Sequence, residues 1–178
     1  FKLAGLPTKL TKGPWISKES SSVTTEFLTK HNITSKDSKW IGIAPFAAHQ
    51  SKEWPYTKMK GVISNLVNSG YKIFLFGGGE KEVELLTQLQ KEQPACIVVA
   101  GYLKLPNELE LISQLDLMIA MDSSNMHLAT IVGTKVLSIW GATHHYLGFG
   151  PLNNEDNIVE VPKEQLPSPT IDTGVKPT

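Results

Sequence analysis

Residues 71–79 read YKIFLFGGG, an apolar strand pattern that runs into three glycines. Similar apolar runs occur at WIGIAP (40–45), CIVVA (96–100), DLMIAM (116–121) and KVLSIW (135–140). Between and after them, residues 54–67, 80–90, 106–115 and 123–132 have apolar side chains at helical spacing. Near-continuous apolar strands that alternate with helices are typical of a parallel sheet covered on both faces. We therefore predict a doubly wound α/β domain.

The segments on either side of this domain have weaker patterns. Residues 1–39 are predicted to form a linker and then a helix over about residues 20–30. The α/β domain itself is predicted over residues 40–151. Residues 152–178 are predicted to be a C-terminal extension or tail, with one short strand at about residues 157–161. The 178 residues thus suit one ordinary domain with extensions.

The composition limits the kinds of partner and compartment. The 17 basic and 17 acidic residues give a net charge of +0, which argues against non-specific binding to nucleic acid or an anionic membrane. The sequence contains no arginine, so an anion site must use lysine, histidine or backbone N–H groups. The single cysteine, Cys96, excludes an internal disulfide, and its apolar neighbours predict a buried side chain.

Two further observations concern the ends of the chain and the membrane. No apolar run approaches the ~20 residues that a membrane-spanning helix needs. No signal peptide is apparent at the start. The first residue is Phe1 rather than methionine, so we expect the chain to be a piece of a longer protein.

The motif DSSNMHLA at residues 122–129 carries the most chemical information. Asp122 ends an apolar strand where a helix begins, and the free N–H groups and positive dipole end of a helix start favour anions. Ser123 and Ser124 add hydroxyl groups, and His127 follows about one turn later. Under the alternative interpretation, Asp122 or Ser123 merely caps the helix and His127 is an ordinary surface residue.

Three other segments also follow strands, where ligands bind in folds of this type. Lys52 lies in the loop after the first strand, where it either reaches an anion above the sheet edge or is an ordinary solvated lysine. The glycines at 77–79 allow close approach of a ligand, but they match neither a dinucleotide fingerprint nor a P-loop. His144 and His145 are adjacent, but no cysteine or paired acid accompanies them at ligand spacing, so no metal site is predicted.

Taken in order along the chain, these motifs resemble glycosyltransferase family 9, the lipopolysaccharide heptosyltransferases. The resemblance covers residues 40–151 and rests on KEWP (52–55), the Gly77-Gly78 turn, DSSNMHLA (122–129), and GTKV (133–136) with WGAT (140–143). It points to the C-terminal, donor-binding half of these enzymes. It implies a Rossmann-like doubly wound parallel sheet that forms one half of the two-domain GT-B architecture.

The resemblance also implies roles for single residues. Lys52 would neutralise the donor diphosphate, and Asp122 would accept hydrogen bonds from sugar hydroxyls because its charge repels phosphate. These two residues form the implied catalytic set. The implied donor-binding residues are Ser123, Ser124 and Asn125 at the helix start, His127 near the leaving diphosphate, Glu80 at the ribose and Leu103 at the adenine.

The implied reaction is an inverting transfer of heptose from ADP-heptose to the lipopolysaccharide core, without a metal or cofactor. The general base is expected in an N-terminal half outside this chain, so the chain alone is expected to be inactive. A bacterial cytoplasmic location is implied, at the inner face of the inner membrane, with at most peripheral membrane association and no nucleic-acid partner.

Two alternatives stay open at this point. One is a nicotinamide-binding oxidoreductase domain, against which the missing fingerprint after the first strand argues. The other is a non-catalytic module that binds a nucleotide sugar.

Overall fold

The computed structural model describes residues 13–16, 21–154 and 156–160. The strands of this part of the chain are β1 (Trp40–Ala44), β2 (Lys72–Leu75), β3 (Cys96–Val98), β4 (Leu117–Met121), β5 (Val136–Trp140) and β6 (Ile158–Glu160). Its α-helices are α1 (Ser22–Lys30), α2 (Tyr56–Asn68), α3 (Gly79–Glu92), α4 (Leu105–Gln114) and α5 (Ser124–Ile131). All were predicted to within about two residues, whereas the 3₁₀ turns at Gln50–Lys52 and His145–Leu147 were not. Most of the predicted linker and tail lies outside the described residues.

All six strands pair in parallel in one sheet, in the order β3-β2-β1-β4-β5-β6. This is the strand order of a Rossmann-type sheet, in which the order reverses direction at the pair β1–β4. The register places Ala44 beside Ala120 and Met121 beside Ile139. The ends of β1, β4 and β5 therefore lie next to one another at the carboxyl edge, and the predicted fold class is confirmed.

The sheet separates two apolar cores, because successive side chains of each strand point to opposite faces. Trp40 and Ala44 of β1 enter the core under α1, α4 and α5, while Ile41 and Ile43 enter the core under α2 and α3. Cys96 is fully buried in the second core, where burial raises the pKa of its thiol to about 11, as expected for a structural cysteine. Among the described helices, none is both long and apolar enough to cross a membrane.

The loops that follow β1 and β5 touch at the carboxyl edge. The amide of Ala142 donates a hydrogen bond of 3.0 Å to the carbonyl oxygen of Ser51. A Cβ atom on Gly141 would overlap that same carbonyl oxygen and lie 3.2 Å from the Cα atom of Lys52. The turn after β5 thus requires glycine, and its contact with Ser51 sets the position of the loop that carries Lys52.

At the opposite, amino edge, Asp116 joins β1 to β4. Its Oδ2 atom accepts a hydrogen bond of 2.8 Å from the backbone N–H of Trp40 and lies 2.9 Å from the Nζ atom of Lys36. The hydrogen bond from Lys36, followed by that from Trp40, holds the pKa of Asp116 below its ordinary value of 3.8. This carboxylate therefore stabilises the folded chain in its charged form.

Gly141→Ala is expected to destabilise the fold by about 1–3 kcal/mol, because the new methyl group displaces a backbone segment rather than a flexible side chain. The measurement is the free energy of unfolding in urea. Gly61→Ala is the matched control, since a Cβ atom there meets nothing within 4 Å in the middle of α2. That change is expected to stabilise the fold by about 0.5–1 kcal/mol. A stabilised Gly141→Ala would contradict the close contact.

Lys36→Met is expected to raise the pKa of Asp116, measured by carboxyl NMR titration, and Lys39→Met to raise it less because Lys39 acts only as a weaker, unbonded charge. The effect of this pKa shift on the free energy of unfolding follows from the coupling between proton binding and folding. A depressed carboxyl pKa contributes stability above the ordinary pKa and loses it as the pH falls through the folded value. The difference in stability between wild type and Lys36→Met should therefore be present at neutral pH and shrink in acid. An unchanged Asp116 pKa in Lys36→Met would show that the pair does not form.

Candidate functional site

An ion pair between Lys52 and Asp122 lies at the carboxyl edge of the sheet. The Nζ atom of Lys52 is 2.8 Å from the Oδ2 atom of Asp122, and the two side chains are 21% and 6% exposed. Lys52 ends the 3₁₀ turn after β1, and Asp122 is the residue after β4. A carboxylate buried to this degree needs a counter-charge or hydrogen bonds, and Lys52 supplies the charge. Lys52 is therefore paired at the sheet edge rather than fully solvated, and its contact with an anion stays a prediction.

Thr143 is the second partner of Asp122. Its hydroxyl Oγ1 donates a buried hydrogen bond of 2.9 Å to the same Oδ2 atom that meets Lys52. Thr143 belongs to the loop after β5, so the loops after three neighbouring strands meet at one carboxylate oxygen. Thr143 belongs to the WGAT motif (140–143) of the family resemblance, but no role was predicted for it, although a threonine that follows a buried strand at the carboxyl edge carries the same signal as Lys52 and Asp122.

The loop that carries Lys52 is held by main-chain contacts as well as by the ion pair. Glu53 Oε1 accepts a hydrogen bond of 3.0 Å from the backbone N–H of Ala47, which closes the loop on itself. The carbonyl group of Ser51 accepts the N–H of Ala142, as described above. Lys52 is therefore presented by a braced turn, and its ammonium group needs little reorganisation to remain at the site.

The start of α5 lies immediately after Asp122. Ser123 occupies the N-cap position but makes no side-chain capping bond, and its Oγ atom is buried without a partner among the described residues. Ser124 and His127 are exposed, and Asn125 is partly buried. Asp122 binds Lys52 and Thr143, and Ser123 makes no capping bond, so neither side chain caps the helix. The exposed His127 agrees with the interpretation as an ordinary surface residue. The helix start keeps its N–H groups available beside a partnerless hydroxyl.

Two other predicted donor-binding residues, Glu80 and Leu103, differ in their exposure to solvent. Glu80 is exposed in the first turn of α3, next to Gly79, whose φ of 74° is in the left-handed region. The neighbouring Glu82, which was not predicted, accepts a hydrogen bond of 2.8 Å from the backbone N–H of Gly78 and so ties down the glycine turn. Leu103 is buried, with 9% of its surface exposed, and packs in the core under α1, α4 and α5. Its contact with an adenine stays a prediction, and only a small part of its side chain is accessible to a ligand.

The histidine pair binds one carboxylate. His144 Nδ1 and His145 Nδ1 lie 3.2 Å and 3.1 Å from Oε2 of Glu160, the last residue of β6. Desolvation raises the pKa of Glu160, but the hydrogen bonds and the charge interactions with the two histidines together outweigh it and lower that pKa overall. His144 is almost fully buried, so this contact anchors the loop directly after Thr143. In the described part of the chain, no group of three or more His, Cys, Asp or Glu side chains is arranged to hold a metal ion.

The sequence is similar to that of known glycosyltransferases. Residues 1–176 match the family model described as glycosyltransferase family 9 (heptosyltransferase). Lipopolysaccharide heptosyltransferase 3 of Escherichia coli is 30% identical over 109 residues, which are 60% of this chain and 32% of that protein. The chain thus spans about a third of the length of this relative.

Solved structures show the same fold. The E. coli ADP-heptose lps heptosyltransferase II matches with a TM-score of 0.69 at 21% identity, over 89% of this chain and 47% of that one. The E. coli heptosyltransferase WaaC, solved with ADP, matches with a TM-score of 0.65 at 20% identity, over 78% of this chain and 42% of that one. The family match favours the transferase interpretation over the nicotinamide-binding one. Since the family model covers nearly the whole sequence, this chain belongs to glycosyltransferase family 9.

Proposed function

We propose that this chain is the donor-binding, C-terminal half of an inverting bacterial glycosyltransferase that transfers heptose from ADP-heptose to the lipopolysaccharide core. The Lys52–Asp122 ion pair beside the start of α5 carries the proposal. It brings a cation, a carboxylate and a helix N-terminus together at the sheet edge where ligands bind in this fold. The names of the relatives support the reaction class, and the WaaC structure with ADP supports the nucleotide.

The diphosphate of the donor would lie between Lys52 and the start of α5. An ammonium group has three N–H donors, so Lys52 can contact a phosphate oxygen while it stays close to Asp122. The N–H groups of the first turn, with the hydroxyls of Ser123 and Ser124, would bind further oxygens. Ser123 Oγ is buried without a partner, so its side chain would have to turn toward the ligand before a phosphate oxygen could accept its hydrogen bond.

The sugar would lie over Asp122. This carboxylate is unsuited to phosphate contact because both are negative, but it accepts hydrogen bonds from hydroxyl groups. Lys52 and Thr143 both meet its Oδ2 atom, so ligand hydroxyls would approach at Oδ1. The remaining assignments rest on the family resemblance: Asn125 and His127 at the diphosphate, Glu80 at the ribose and Leu103 at the adenine.

The proposed reaction is a displacement with inversion at the anomeric carbon. An oxygen of the acceptor hydroxyl forms a bond to that carbon, and the bond from the carbon to the diphosphate oxygen breaks. The electron pair leaves with ADP, and the acceptor proton passes to a base that we place in the other half of the enzyme. Lys52 and the helix start would stabilise the charge that develops on the leaving diphosphate, so the proposal requires no metal ion.

The partners follow from this assignment. The donor half would act together with an acceptor-binding half, so that this chain alone would transfer no sugar, since nothing in it is proposed to position the acceptor or remove its proton. We place the enzyme on the cytoplasmic side of the inner membrane, where peripheral association would bring it to a lipid-linked acceptor.

The proposal predicts that this chain binds ADP in the absence of divalent metal. Isothermal calorimetry with ADP, in EDTA and again with added Mg²⁺, is the measurement. The expected result is binding in EDTA of similar strength to that with Mg²⁺, because Lys52 and the N–H groups of α5 neutralise the phosphates themselves. For the Lys52→Ala variant described next, Lys60→Ala is the matched control. Lys60 also forms an ion pair, with Glu92 at 2.7 Å, but it lies on α2, away from the proposed site. Binding that disappears in EDTA would contradict the metal-free site.

The ion pair predicts how Lys52 and Asp122 divide the donor. Lys52→Ala should weaken ADP and ADP-heptose alike by about 1–3 kcal/mol, the range of a charge-assisted contact, and less at high salt. Part of that loss arises because Asp122 then faces the diphosphate without its counter-charge. Lys52→Ala combined with Asp122→Ala should therefore bind ADP more tightly than Lys52→Ala alone.

Asp122→Ala alone should weaken ADP-heptose while leaving ADP unchanged or slightly tighter. Melting temperatures measured on the same samples separate a binding effect from a folding defect, since removing one partner of a buried pair also destabilises a protein. Equal losses for both ligands at an unchanged melting temperature would contradict the sugar-binding role of Asp122.

A further inference from the structure

The loop after β5 contains a residue to which neither the family resemblance nor the proposed reaction assigns a role. Thr143 is 4% exposed, and its hydroxyl donates a buried hydrogen bond to Asp122. We propose that Thr143 is a positioning residue that orients the Asp122 carboxylate for the hydroxyls of the donor sugar. This inference rests on the proposed function and adds a specificity-determining contact to it.

Two donors meet one oxygen of the Asp122 carboxylate. Asp122 Oδ2 receives the Lys52 ammonium at 2.8 Å and the Thr143 hydroxyl at 2.9 Å. An ammonium is a compact charge on a flexible stem, so it attracts the carboxylate without fixing the plane of the group. The hydroxyl hydrogen bond is directional, and the second donor on the same oxygen therefore fixes which oxygen is occupied. Oδ1 becomes the oxygen that meets ligand hydroxyls.

Thr143 itself is held by contacts of the residues before and after it. Before it, the Ala142 amide is bonded to Ser51, and Gly141 lies against the same carbonyl group. After it, the nearly fully buried His144 contacts Glu160 at the end of β6. Thr143 is therefore placed from both sides, so its hydroxyl is a fixed reference for Asp122 rather than a group that adapts to it.

The sugar and the diphosphate of the donor depend on different groups of the proposed site. Sugar hydroxyls need the carboxylate in one orientation, whereas the diphosphate depends on Lys52 and α5. Loss of the Thr143 hydroxyl should thus weaken recognition of the sugar much more than that of the nucleotide. A purely structural threonine would affect both ligands equally, through the folded fraction alone.

The experiment compares Thr143→Val, which removes the hydroxyl and keeps a branched side chain, with Thr143→Ser, which keeps the hydroxyl. Calorimetry with ADP-heptose and with ADP is run on each. We expect Thr143→Val to bind ADP-heptose about tenfold more weakly and ADP within about twofold of wild type, and Thr143→Ser to restore most of the loss.

Thr134→Val is the matched control. Thr134 lies just before β5, is also 4% exposed, and donates a buried hydrogen bond of 2.7 Å to the carbonyl oxygen of Ile112. It should lose a comparable hydrogen bond and some stability without changing the ratio of the two affinities. The same change in that ratio for Thr134→Val would overturn the proposal, because a general loss of packing would then explain both variants.

A double variant tests whether Thr143 acts through Asp122. In an Asp122→Ala background, Thr143→Val should cause no further loss of ADP-heptose affinity, since the group that it orients is gone. An equal loss with and without Asp122 would overturn the proposal. If the wild-type chain binds neither ADP nor ADP-heptose, the proposed function and this inference are both refuted. If the wild-type chain binds both ligands and Thr143→Val binds them with the same affinities, the inference alone is refuted.

Discussion

The adjacency of β1 and β4 is the constraint on which the site depends. These strands are far apart in the sequence, yet they are hydrogen-bonded neighbours in the middle of the sheet. Because all strands are parallel, the loops that follow them leave from the same edge. Lys52 and Asp122 meet there, and β5, on the other side of β4, adds Thr143 to the same carboxylate. A different strand order would separate these three side chains even if each local segment kept its conformation.

The contact at Gly141 converts this adjacency into a defined distance. Strand order brings the loops to one edge, but a loop that stood off by the width of a methyl group would leave the Lys52 ammonium elsewhere. The hydrogen bond from Ala142 to Ser51 and the absence of a side chain at 141 hold the two loops together at backbone distance. The ion pair thus depends on a main-chain contact between the two loops.

The fold could be predicted from the sequence because its signals are local. The apolar run of residues 40–45 and the helical pattern of residues 54–67 each identify their own element, and their alternation indicates a parallel sheet. The contacts of the site are not local. The residues around Lys52 in the sequence do not show that its ammonium lies 2.8 Å from Asp122. Those around His144 do not show that its ring contacts the carboxylate of Glu160. Leu103 illustrates the same limit, because its position after a strand does not reveal that it packs inward.

A lysine at position 52 fits a carboxylate that has two tasks, although lysine stands at every Lys/Arg position of this chain. A guanidinium forms a planar, bidentate pair with a carboxylate and would occupy both oxygens of Asp122. The Lys52 ammonium meets one oxygen, shares it with the Thr143 hydroxyl and retains further N–H donors for another acceptor. The opposite charges of Lys52 and Asp122 also offset one another, so the start of α5 supplies a larger share of the attraction for an anion than it would beside a free lysine. In the proposed site, a single-point cation and a neutral hydroxyl therefore leave one carboxylate oxygen for a sugar while the cation still faces the diphosphate.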